Sequence, residues 1–240
     1  MTSTAYTVRV SPRAKRVTLR ISLDAGLVVV VPRRFDHSAV PAIVREKAAW
    51  IARHEARLSA ERALLEADPP TRLPQGILLP AVGEEWRVDY HPTAARGVTA
   101  RENAGGLVRV SGDVGDAAAC RAALGRWLIR RAQDRLVPWL ESLSRRHDLP
   151  FTKVTVRAQS TRWGSCSRHG AISLNRGLLF LPPELAEYVM LHELCHTVRL
   201  DHSRAFWTEL RRREPDCDRL RKEMRGARLL VPGWARVGRD

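Results

Sequence analysis

The chain has 240 residues, a formal net charge of +15, 44% hydrophobic and 28% charged residues. This length and balance allow one large domain or two small ones with a real core, and exclude a disordered, collagen-like or disulfide-scaffold chain. No apolar run approaches the ~20 residues that cross a bilayer, and the opening MTSTAYTVRVSPRAKR lacks the apolar core of a signal peptide, so the expectation is a soluble cytoplasmic protein without a membrane partner.

In chain order, RVTLRISLDAGLVVVVP predicts a hairpin. Val17, Leu19, Ile21 and Leu23 alternate, Asp24-Ala25-Gly26 turns, and a second apolar strand stops at Pro32. Helical spacing follows from about Ser38 to Glu66 through Val40, Ile43, Val44, Trp50 and Ile51, with Asp36 and Ser38 as capping candidates. The stretch ADPPTRLPQG, 67 to 76, reads as a break. Two further strand pairs are expected around Trp86 to Tyr90 and Val98 to Val110, with a turn at Asn103-Ala104-Gly105-Gly106.

A second helical region spans roughly Asp116 to His147, with a kink expected at Pro138. A strand at Thr152 to Ala158, the stretch STRWGSCSRHG and a strand at Ala171 to Asn175 come next. A helix opens at Pro182-Pro183-Glu184 and runs to about Leu200, and a last helix begins near Ser203. The order predicts an α+β fold with two parts: a hairpin-rich α/β region over 1–115 and a domain built round a buried helix over 116–240. Cys120, Cys166, Cys195 and Cys217 form no C-x-x-C pair and read as reduced, small hydrophobes.

The stretch LHELCHTVRLDH, 191 to 202, is the informative one. His192 and His196 are four residues apart and share a helix face, in line with Leu185 and Val189, so both reach one ion. The other faces are apolar too, and an ionised Glu193 in such a helix costs several kcal/mol unless a cation or a hydrogen-bond network is near. Zinc supplies that cation, and a hydrolytic zinc site uses three protein ligands with a fourth position open. In H-E-x-x-H the intervening carboxylate sits beside the attacking water as base, a role that falls to Glu193. His202 is the third-ligand candidate, with Glu209 or Glu214 as rivals.

These residues resemble the YgjP-like metallopeptidase domain family, relatives of SprT-like and other H-E-x-x-H zinc proteases. The resemblance is carried by RAQSTRWGSCSRHGAISLN (157–175), EYVMLHELCH (187–196) and DHSRAFW (201–207), and more weakly by REKAAWI after the Arg-rich hairpin. It implies a zincin-like metallopeptidase domain with one zinc ion held by His192, His196 and His202, and Glu193 as base. Two positions depart from the family pattern: Asp201 stands where Asn is usual, and Arg176-Gly177 replaces Trp-Arg after Asn175. Metzincins share the 0, 4, 10 spacing, but Arg199 stands where they have Gly, and no Met-turn is evident.

RWGSC suggests a tight bend beside the metal, with the strand to Asn175 as an edge that can pair with an extended peptide; Arg157 and Arg162 are candidates to face the site. Residues 121–240 carry 24 Lys+Arg against 13 Asp+Glu, and residues 1–120 carry 17 against 13. The basic half is the half with the motif, so nucleic acid is a possible partner there. The leading expectation is a zinc-dependent hydrolase of peptides or proteins. Its alternatives are a metal-dependent nucleotide triphosphate pyrophosphatase, without a G-x-x-x-x-G-K-[ST] loop to support it, and a nucleic-acid-associated module with a structural zinc.

Overall fold

Alternation in the first seventy residues forms a sheet with one apolar face. In the computed structural model, which describes residues 5–22, 25–69 and 71–236, β1 (Tyr6–Val10), β2 (Thr18–Ser22) and β3 (Gly26–Val31) lie in the order β1-β3-β2. The expected hairpin is β2–β3, with Leu19 opposite Val29; its Leu23 and Asp24 lie outside the described residues. β1 was not expected, because its partner β3 is parallel and distant in sequence, with Val8 opposite Val29. Leu27, Val29 and Val31 pack on Val40, Val44 and Ile51, which belong to α1 (Val40–Glu46) and α2 (Ala48–Ala67). The single helix expected over 38–66 is thus two, parted at Lys47, where φ and ψ are −93° and 10°.

Residues 1–67 form one compact unit and 68–240 the other. The sequence placed the division at 115/116. The difference arises because the sheet of residues 76–112 has no core of its own and closes on the next helix. In that sheet β4 (Gly76–Leu79), β5 (Glu84–Pro92), β6 (Thr99–Asn103) and β7 (Leu107–Gly112) run in the order β4-β5-β7-β6. The β6–β7 turn uses Gly105 and Gly106 at φ 76° and 68°, backbone that favours glycine.

α3 (Ala117–His147) starts where the Asp116 carboxylate accepts from the N–H groups of Ala118 and Ala119, and continues through Pro138. Its Leu124, Trp127, Leu128 and Leu136 are fully buried. Trp127 Nε1 donates to Glu102 at 2.9 Å, and Arg131 grips Glu84 with two bonds of 2.7 and 2.6 Å.

The remaining strands, β8 (Lys153–Arg157), β9 (Gly164–Cys166) and β10 (Ala171–Asn175), lie in the order β8-β10-β9. β10 is parallel to β8 and antiparallel to β9, so it is central, and the edge expected there belongs to β9. α4 (Pro183–Cys195), α5 (Arg204–Arg213) and α6 (Cys217–Glu223) follow. One last helix was expected; Pro215 disfavours helical backbone at Glu214 and divides it in two. The fold is α+β, and the four cysteines are free.

Candidate metal centre

α4 carries apolar side chains on every face and is buried nearly all round, from Leu185 to Cys195. Pro183 in the first turn and Glu184 beside the helix N-terminus start it as expected. It ends five residues earlier than Leu200. Thr197 Oγ1 donates to the Leu194 carbonyl at 2.8 Å, and Arg199 N donates to Cys195 O, curling the chain under the helix. That curl brings the Arg199 carbonyl to 2.9 Å from His196 Nδ1. Asp201 and Ser203 then turn the chain into α5 and leave His202 facing α4.

Three imidazoles converge as a result. His192 Nε2 lies 3.0 Å from His202 Nε2 and 3.2 Å from His196 Nε2, and the ligand atoms of all three fall within 4.8 Å of one another. A carbonyl only accepts, so His196 Nδ1 carries the hydrogen towards Arg199 and, in the neutral ring, Nε2 presents its lone pair to the junction. His192 Nδ1 is buried without a hydrogen-bond partner, which leaves Nε2 as that ring's polar contact. His192 can donate to one neighbour at most, so lone pairs crowd the junction.

A cation fits that arrangement. Two nitrogens bound to one zinc at about 2.05 Å and a tetrahedral angle lie about 3.3 Å apart, close to the spacings found here. Burial, reinforced by the two other imidazoles and by Arg221, holds the His192 pKa down at about 3, and burial likewise lowers that of His196. Both rings are therefore neutral near pH 7, the form that binds a metal. Glu209 and Glu214 do not join them: Glu209 accepts from Arg213 at 2.5 Å and from Arg212 at 3.2 Å, and Glu214 accepts from Asp216 N at 3.1 Å.

Glu193 is 6% exposed, and burial pushes its pKa up to about 7, against a smaller opposing pull from Arg162. The chain that covers it is the RWGSC bend. A Cβ on Gly164 would stand 2.7 Å from Glu193 Cγ and 2.8 Å from its Oε1, so the strand approaches the carboxylate more closely than any larger residue permits. Asn175 holds that bend: its Nδ2 donates to the carbonyls of Gln159 and Arg162 at 2.7 and 2.8 Å, and its Oδ1 accepts from Gly177 N. Arg176, at a position where the sequence departs from the pattern it resembles, is half-buried and donates to the carbonyls of Gly125 and Ala235. It staples α3 to the C-terminal turn and takes no part in the centre. Arg157 is exposed on β8.

The sequence reading missed the support around the histidines. Phe206 is fully buried with its ring stacked on His196 at 4.5 Å, and Trp207 Nε1 donates to the His202 carbonyl at 3.1 Å. The aromatic pair directly after DHSRA was the available signal. A pocket of about 580 Å3 opens over His192, Glu193 and His202, walled by Trp163, Tyr188, Val189, Trp207 and Met224.

Comparison with known proteins gives one family: a model described as YgjP-like, metallopeptidase domain, matches residues 15–227. No curated protein matches the chain. Among solved structures, the metallopeptidase zymogen jannalysin of Methanocaldococcus jannaschii is 21% identical with a TM-score of 0.32, over 35% of this chain and 88% of that one.

Proposed function

The chain belongs to the YgjP-like metallopeptidase domain family, and from that premise we propose that it is a zinc-dependent peptidase whose ion is held by His192, His196 and His202 and whose general base is Glu193. The carrying observation is the meeting of three Nε2 atoms beside a buried carboxylate on the same helix. Three imidazoles suit zinc, which if bound there would make a water far more acidic and polarise a carbonyl.

Glu193 moves the proton. A carboxyl whose pKa is raised to about 7 is matched to working pH, so it can take a proton from the attacking water and return it to the departing amine. Gly164 fixes where that carboxylate points. β9 is the sheet edge beside it, and among the described residues its outer side has no ladder partner. An extended peptide can add there as a further strand, with its side chains in the aromatic pocket.

Glu193 separates this reading from one rival, and a missing motif weighs against the other. A structural zinc in a nucleic-acid module has no use for a carboxylate beside its ligands, and nucleotide pyrophosphate chemistry lacks a phosphate-cradling loop. The test is Glu193→Gln in a screen of peptides against nucleotides. The variant keeps one zinc per chain and loses about 100-fold or more of peptide hydrolysis; full activity would refute the mechanism, and hydrolysis of nucleotides alone would replace the substrate.

A further inference from the structure

Besides the histidines, the pocket over the centre contains two charged side chains, Glu193 and Arg221. The Arg221 guanidinium lies over the Trp207 ring, 4.2 Å from its centroid. Because Trp207 is bonded to the His202 carbonyl, the guanidinium has a set place relative to the third imidazole. Stacking occupies its face and leaves its N–H edge available.

No carboxylate among the described residues forms an ion pair with Arg221. Asp218, one turn earlier on α6, is taken by Arg211 through bonds of 3.0 and 3.2 Å. Glu223 is bonded by Arg219 at 2.9 Å. Arg211 and Arg219 are thus paired with acids, while Arg221, which lines the pocket, has no direct ion pair among the described residues. A site that favours a metal cation and keeps a second, unpaired cation beside it gains most from a ligand that brings negative charge.

Resting on the peptidase reading, we propose that Arg221 is a specificity-determining residue that receives a carboxylate of the substrate, so that the protein prefers peptides that present a carboxylate at that place. The planar fork matches a carboxylate through two parallel N–H···O bonds. The carboxylate has two possible sources, an Asp or Glu side chain near the scissile bond or the peptide's own C-terminus.

The test uses the zinc-loaded full chain and four peptides that differ only in Glu against Gln and in a free against an amidated C-terminus. Cleavage is measured as kcat/KM, and binding is measured separately in Glu193→Gln by quenching of tryptophan fluorescence. A carboxylate is expected to improve both by about 10- to 100-fold, the range of a charge-assisted bond. The arm that carries the effect identifies the source. In Arg221→Gln the carboxylate-to-amide ratio falls to near one, and Arg221→Lys, which keeps the charge without the planar fork, recovers part of it. Equal binding of all four peptides, or selectivity that survives Arg221→Gln, overturns the proposal. Selective binding without cleavage by the parent chain supports the carboxylate site and removes the peptidase reading.

Discussion

At the scale of single residues, the site depends on how closely Gly164 approaches Glu193. Its φ is not in the left-handed region, so the requirement for glycine is space, and Gly164→Ala tests it cleanly. The added methyl displaces the carboxylate by several tenths of an ångström. Misplacement on that scale lowers activity by about 10- to 100-fold while zinc content holds, since no ligand is touched. Parent-like kcat/KM would show that the carboxylate's position is not critical.

Glu193 also makes a prediction about pH. Its folded pKa of about 7 lies above the ordinary value of 4.5, so the native state binds more protons than the unfolded chain between those values, and stability from this group falls as pH rises through them. In metal-free protein, Glu193→Gln is therefore more stable than the parent at pH 8, by roughly 1–3 kcal/mol, and the gap closes towards pH 4.5. Urea midpoints at the two pH values measure it; a gap that widens towards acid would contradict the assignment.

At the scale of elements, the helix with its histidines was legible because its information is local: H-E-x-x-H needs only the 3.6-residue period, and His202 needs only a short turn. Asn175 was legible as a motif residue but not as a brace, since its partners, the Gln159 and Arg162 carbonyls, lie across a sheet whose order the sequence does not state. The same limit concealed β1, the middle position of β10 and the Arg221–Trp207 stack, all made by residues distant in sequence or on separate helices. Asn175→Ala leaves two carbonyls and Gly177 N–H without their partner and costs about 2–4 kcal/mol. Denaturant unfolding would show the loss, and an unchanged midpoint would mean the RWGSC bend holds its shape without the brace.

At the scale of the whole molecule, the boundary moved from 115/116 to 67/68 because Arg131, Trp127, Arg126 and Arg130 of α3 reach back to side chains and carbonyls of the preceding sheet. Part of the arginine surplus is thus internal. On the motif side, Arg211, Arg212, Arg213 and Arg219 are paired with acids, whereas Arg221 lies in the pocket on the Trp207 ring. No helix among the described residues is long and apolar enough to cross a membrane.

The proposed function rests on the three imidazoles being able to share one ion. The direct measurement is metal content per chain, by elemental analysis of purified protein after equilibration with zinc, beside His202→Ala. The account predicts one zinc per parent chain and a large loss in the variant. A parent that takes up no metal, or a variant that holds as much as the parent, contradicts it.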